Sequence, residues 1–222
     1  MASLSVDAVR RNLAVVRERI AAAAARAGRD PAEVEILAAV KYLDGPELEV
    51  LADAGITLVG ENRAQDLVEK ARYAPGRLRW HFIGALQSRK VKLIVPHVEL
   101  IHSVASDSAL AALGAVAAPT FEILVEVNVA GEPGKAGIAP AELDAFIGRS
   151  PVRVVGLMTM PPQTADPQTS RPYFEQLAAL AGDRGLRHVS AGTSQDYEVA
   201  VEAGATIVRI GTSLYRETPE PR

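Results

Sequence analysis

A chain of 222 residues is long enough for one full hydrophobic core and short for two ordinary domains, so a single domain over residues 1–222 is expected. Hydrophobic residues at 48% and charged residues at 23% place it with globular proteins and against extensive disorder. A formal net charge of −3 supplies no basic field for nucleic acid, and the lack of cysteine excludes disulfides, thiolate nucleophiles and cysteine metal sites. That composition suits the cytoplasm, and no metal site is expected.

Residues 1–30 form the first segment. Val9, Leu13, Val16 and Ile20 recur at helical spacing, with Arg10, Arg11, Arg17 and Glu18 on the other faces, so an amphipathic helix is expected to pack on the body. The scattered arginines rule out a signal peptide. No run of about 18 apolar residues occurs, so no membrane span is expected.

Beyond Asp30, short β-branched runs alternate with longer helical patterns, the signature of βαβ units. Strands are expected over residues 34–40, 56–59, 80–83, 100–104, 121–129, 152–158, 187–191 and 206–210. Helices are expected over 47–54, 62–71, 107–117, 140–147 and 172–181, several opened by Asp, Asn or Pro. Eight strands with crossovers close into a (β/α)8 TIM-type barrel, here with an extra N-terminal helix. An open doubly wound sheet would carry a Gly-rich turn after its first strand, and Val40-Lys41-Tyr42 is not one. Residues 161–172 read as a surface loop and 218–222 as a loose tail.

Barrel active sites are built at the C-terminal ends of the strands, and the unusual residues fall there repeatedly. Lys41 ends the first strand, Gly60-Glu61-Asn62 the second, and His81 with Gly84-Ala85-Leu86-Gln87 belongs to the third. His102 and Ser103 lie on the fourth, Asn128 ends the fifth and Met158 the sixth. Gly192-Thr193-Ser194 follows the seventh, and Arg209-Ile210-Gly211-Thr212 closes the eighth.

A lysine where an apolar strand meets the barrel mouth is expected to be desolvated, which favours the neutral amine that attacks an aldehyde. The competing reading is a strand-end lysine whose head reaches solvent. The turns at Ala191-Gly192-Thr193-Ser194 and Gly211-Thr212-Ser213 suit a phosphate: glycine admits the oxygens, hydroxyls donate, and a helix start follows. Taken singly, Gly211 reads as a tight turn and Ser194 as a helix N-cap; it is two such turns on adjacent strands that favour the phosphate. Arg209 alternates with apolar neighbours and so points into the barrel, either beside a ligand or into a structural ion pair. Against an aromatic nitrogen, a cationic arginine only donates.

Taken in order, these segments resemble the pyridoxal-phosphate homeostasis proteins, single-barrel relatives of the alanine-racemase N-terminal domain. The resemblance rests on Ala39-Val40-Lys41, Gly60-Glu61-Asn62-Arg63-Ala64-Gln65, Trp80-His81-Phe82-Ile83-Gly84-Ala85-Leu86-Gln87-Ser88-Arg89-Lys90 and His102-Ser103-Val104. It continues through Val127-Asn128, Lys135-Ala136-Gly137, Gly156-Leu157-Met158, Gly192-Thr193-Ser194-Gln195-Asp196 and Val208-Arg209-Ile210-Gly211-Thr212. It implies a barrel like that of the fold-type III enzymes of pyridoxal 5′-phosphate (PLP). It also implies a Schiff base at Lys41, a phosphate held by Ser194, Gly211 and Thr212, Arg209 at the pyridine nitrogen, and Asn62 and His81 in the same pocket. Thr193 stands where the family often has methionine, and Ala191-Gly192 where Met-Gly is common.

Asn128 joins the expected cofactor contacts. His81 has a competing role satisfying a core carbonyl, and Lys135 lies on a glycine-bounded loop. Glu61 and Asp196 sit beside helix starts, where carboxylates are favoured on structural grounds. Three functions compete. The resemblance implies a PLP-binding protein of vitamin B6 and amino-acid balance without robust catalysis, a monomer or weak dimer, with PLP-dependent apoenzymes as possible acceptors. An amino-acid racemase is the alternative. It needs a second acid/base opposite Lys41, which alanine racemases take from a partner's extra β-domain, whereas this chain reaches Arg222 soon after its eighth strand. A lyase using Lys41 on a sugar phosphate without PLP lacks an evident acid/base set.

Overall fold

Eight parallel strands close on themselves in sequence order in the computed structural model, which describes residues 4–215. They are β1 (Glu35–Ala39), β2 (Leu58–Glu61), β3 (Arg79–Phe82), β4 (Leu100–Val104), β5 (Glu122–Glu126), β6 (Arg153–Met158), β7 (His188–Thr193) and β8 (Ile207–Ile210). Closure comes from β1 pairing with β8, Leu37 lying opposite Arg209 and Ala38 opposite Ile210. The helices are α1 (Val6–Arg26), α2 (Glu47–Asp53), α3 (Ala64–Lys70), α4 (Val91–Ile94), α5 (Asp107–Val116), α6 (Leu143–Gly148), α7 (Arg171–Gly182), α8 (Tyr197–Glu202) and α9 (Thr212–Tyr215). The expected tail at 218–222 lies outside the described residues.

The expected first helix is α1, capped by Ser5, whose Oγ accepts from Ala8 N at 3.2 Å. Val9, Leu13, Val16 and Ile20 are buried, packed chiefly on α8 and α9. Polar links reinforce this packing: Arg26 Nε meets Glu202 at 2.6 Å, and Arg29 Nη1 donates to Ala205 O at 3.0 Å. Among the described residues no helix is long and apolar enough to cross a membrane.

Two boundaries differ from the sequence expectation for a visible reason. The fifth strand ends at Glu126 rather than residue 129, because the following loop folds back and Asn128 N donates to Ile138 O at 3.0 Å. The seventh runs on to Thr193, its register with β8 shifting between Ser190 and Thr193. The helix expected over 140–147 divides into a 3-10 turn at Pro140–Glu142 followed by α6.

Strand alternation sorts the core into two parts. Between sheet and helices lies the larger cluster, with Val59, Phe82, Ile101, Val125 and Val208. Inside the barrel are Leu37, Leu58, Leu100, Leu124, Val155, Met158 and Ile207. Two residues farther along several strands, the interior turns polar: His102 follows Leu100, Glu126 follows Leu124 and Arg209 follows Ile207. The barrel floor is therefore an apolar plug, and its C-terminal mouth is a chemical surface.

Candidate functional site at the barrel mouth

A cavity of about 520 Å³ opens at that mouth, walled by Lys41, Asn62, Ser194, Arg209, Gly211 and Thr212, with Glu126 and Ser103 on the opposite strands. Six of the eight expected contacts thus share one space. The backbone there is shaped by two glycines. Gly192 has φ +86, and a Cβ on it would approach Tyr197 Cα to 2.8 Å. A Cβ on Gly84 would stand 2.0 Å from Asn62 O, so only glycine lets the ends of β2 and β3 come together.

Lys41 is exposed, not desolvated as expected, and among the described residues it has no hydrogen bond or ion pair. Its Nζ lies 4.7 Å from the centroid of the Tyr42 ring. The carbonyl just before it is fixed instead: Lys70 Nζ donates to Val40 O at 2.8 Å and pairs with Glu61 at 2.6 Å. Glu61 also accepts from Asn62 N at 2.6 Å, so this fully buried carboxylate ties the ends of β1 and β2 together. Its role is structural, and it lies outside the cavity wall.

The two candidate phosphate turns meet. Gly211 N donates to Ser194 Oγ at 3.1 Å, and Thr212 lines the same wall. Asp196 is occupied locally, accepting from Thr193 N at 2.7 Å and Thr193 Oγ1 at 3.0 Å. The helices that follow, α8 of six residues and α9 of four, are too short for their dipoles to matter much; hydroxyls and backbone N–H groups supply the donors.

Arg209 is buried, and its hydrogen-bond partners among the described residues are all neutral: Ser190 Oγ at 2.5 Å, Thr159 O at 3.0 Å and Met160 Sδ at 2.8 Å. No carboxylate stands within ion-pair distance among the described residues, which removes the structural ion pair as its explanation. Burial lowers the guanidinium to about 10, with Asp196 and Glu126 pulling the other way, so it remains cationic at neutral pH. Glu126, by contrast, is raised by burial, against the attraction of Arg209 and Lys135.

Two expected contacts lie elsewhere. His81 is buried beneath the cavity, its Nδ1 3.0 Å from His102 Nε2. Asn128 turns its side chain into its own loop, donating to Glu132 O at 2.9 Å and accepting from Glu132 N at 3.2 Å. Conversely, Glu126 reaches the cavity although sequence reasoning does not single it out. Its signal is a charge inside Leu124-Val125-Glu126-Val127, the same pattern that marks Arg209.

Whether these groups fit PLP can be judged from what they leave unsatisfied. Asn62 Oδ1 is buried on the cavity side of the molecule with no hydrogen-bond partner among the described residues, a cost of the kind a ligand donor removes. An unspent amine, a hydroxyl-rich turn pair and a buried cation with neutral partners complete a donor set for an aldehyde, a phosphate and a ring nitrogen. The residues present fit the group.

Residues 4–219 match the family described as alanine racemase, N-terminal domain. The chain belongs to that family and, within it, to the pyridoxal phosphate homeostasis proteins. Proteins of that name are 39% identical in Aquifex aeolicus, covering 92% of this chain and 96% of the relative, and 37% identical in Pseudomonas aeruginosa, covering 95% and 96%. Among solved structures, PipY of Synechococcus elongatus with PLP bound superposes with a TM-score of 0.79 at 28% identity, covering 94% of this chain and all of that one. An unknown protein from Bifidobacterium adolescentis reaches a TM-score of 0.85 at 30% identity, covering 95% of each chain. Alanine racemase from Corynebacterium glutamicum shares the fold, with a TM-score of 0.72 at 13% identity over 99% of this chain and 63% of its own.

Proposed function

We propose that this chain binds PLP at the barrel mouth, as a Schiff base on Lys41, and serves vitamin B6 homeostasis and amino-acid balance rather than robust catalysis. The observation that carries this reading is the convergence of Lys41, Asn62, Ser194, Arg209, Gly211 and Thr212 on one cavity. The names of the curated relatives and the PLP-bound PipY support it.

Each residue has a separate task. Lys41 offers the amine. Ser194 and Thr212 donate hydroxyls and Gly211 its N–H to the phosphate, while Asn62 Oδ1 accepts from the ligand. Arg209 faces the pyridine nitrogen and, able only to donate, keeps it unprotonated. His81 and Asn128 act from behind the wall rather than by contact. PLP, when bound, supplies an electrophilic aldehyde and a ring that draws electrons from an attached amine; a donor that never gives up its proton weakens that pull. This favours holding the cofactor over turning over amino acids.

The reading extends to a single-domain protein of the cytoplasm, a monomer or weak dimer, that passes PLP to apoenzymes. Glu126 keeps the racemase alternative open, being the carboxylate on the cavity wall. Solvent deuterium exchange at the α-carbon of alanine, lost in Glu126→Gln, would favour that alternative. The direct test is a PLP titration followed by visible absorbance. A saturable yellow band in the wild type that Lys41→Ala lacks is expected; a colourless wild type at excess PLP contradicts the reading.

A further inference from the structure

Below the cavity the barrel interior holds a chain of polar side chains, of which only Arg209 reaches the cavity wall. His81 Nδ1 lies 3.0 Å from His102 Nε2, His102 Nδ1 lies 2.9 Å from Ser190 Oγ, and Arg209 Nη1 donates to that same oxygen at 2.5 Å. His102 and Ser190 are completely buried, and His81 and Arg209 are buried almost as fully. Four strands, β3, β4, β7 and β8, thus spend interior positions on groups that destabilise the core unless every one is paired.

The direction of the chain follows from its chemistry. Arginine can only donate, so Ser190 Oγ accepts from it. The hydroxyl hydrogen of Ser190 then has one acceptor within reach among the described residues, His102 Nδ1. Neutral His102 consequently carries its proton on Nε2 and donates it to His81 Nδ1. His81 carries its own proton on Nε2. Every hydrogen bond points away from Arg209, and the reversed order would strand the Ser190 hydrogen in the core. Burial holds both rings neutral: His81 is lowered to about 3, with help from Arg79 and His188, and His102 falls well below the ordinary range, with help from His81 and Arg209.

Arg209 has five N–H groups. Nη2 is committed to Thr159 O and Met160 Sδ, and one hydrogen of Nη1 to Ser190. The Nε hydrogen and the second Nη1 hydrogen remain. Because Ser190 donates onward to His102, its oxygen becomes a better acceptor, which strengthens its hold on the guanidinium. A carboxylate in its place would hold as firmly but would neutralise the charge.

We propose that His81, His102 and Ser190 are positioning residues for Arg209: a one-directional hydrogen-bond chain that fixes the guanidinium without spending its charge and turns its uncommitted N–H groups to the ligand's aromatic nitrogen. The ligand half of this statement rests on the reading that PLP occupies the cavity. His81 and His102 touch no ligand and act through Arg209 alone.

Two experiments test it. The first is nitrogen-15 NMR of the imidazoles in the wild-type protein at neutral pH, which needs no PLP. Both histidines should be neutral Nε2–H tautomers; an Nδ1–H tautomer or an imidazolium at His102 overturns the chain. The second loads PLP onto Ser190→Ala and Ser190→Thr. Ser190→Ala should shift the visible band and weaken retention about tenfold, the loss expected when a charged group loses one hydrogen bond, and Ser190→Thr should restore both. Band and affinity unchanged in Ser190→Ala overturn the proposal, with the tautomer measurement deciding if that variant does not fold. A wild type that takes up no PLP overturns the functional reading and the ring contact together, and is distinguished from failure of the chain by the tautomers.

Discussion

Lys41 and Lys70 serve neighbouring strand ends in opposite ways. Lys70, at the end of α3, is buried, pairs with the fully buried Glu61 and donates to the carbonyl of Val40. Lys41, the very next residue after that carbonyl, is exposed and, among the described residues, makes no hydrogen bond or ion pair. One lysine commits two of its three donors to the wall, while the other has its amine uncommitted beside the cavity. The proposed cofactor lysine is the one whose bonding capacity is left over, and it follows directly on a carbonyl that a committed lysine holds in place.

Breaking the committed lysine should have the largest effect on stability. Lys70→Ala leaves Glu61 charged and buried without a partner, and is expected to cost about 3–5 kcal/mol. Urea unfolding measures this directly, and a loss under about 1 kcal/mol would mean that water replaces the pair.

Arg209→Ala removes a buried cation from the ligand wall. Loss of hydrogen bonding to a charged group, about 1.5–3 kcal/mol, should weaken PLP retention roughly ten- to a hundredfold. Equilibrium dialysis showing unchanged affinity would assign Arg209 to the barrel interior alone.

The histidines sharpen the same comparison through pH. Folded, His81 protonates only near 3 and His102 well below the usual range; unfolded, both titrate near the ordinary histidine value. Between those limits the unfolded chain binds more protons, so stability falls as pH drops, by up to about 1.4 kcal/mol per unit for each ring. His102→Asn should flatten the slope of unfolding free energy between about pH 6 and pH 5. A variant as steep as the wild type contradicts the buried neutral state.

Lys41→Ala should change least in stability, within about 0.5 kcal/mol, because an exposed side chain without polar partners is removed. Its melting temperature is the measurement. A drop of many degrees would show that Lys41 supports the wall as Lys70 does.

Much of the architecture is legible in the sequence because the barrel repeats one simple pattern. Short β-branched, apolar runs mark all eight strands within a few residues, and α1 announces its buried face through Val9, Leu13, Val16 and Ile20. Lys41 and Arg209 are legible as charges that interrupt apolar alternation. Glu126 carries the same mark, yet a fifth strand drawn to residue 129 hides it as one position among nine. Asn128 points away from the cavity because its loop closes on its side chain, a local bond that strand periodicity does not encode. The His102 and Ser190 pairing joins residues 88 positions apart and depends on how β4 and β7 face each other across the barrel. Lys41's exposure also lay beyond the pattern: position at a strand end places the residue at the mouth without saying how open the mouth is.

Borohydride reduction of the PLP-loaded protein followed by peptide mapping decides whether Lys41 carries the cofactor. Reduction should abolish the yellow band and leave a pyridoxyl group on the peptide containing Lys41. A pyridoxyl group found only on other lysines, or none at excess PLP, would contradict it.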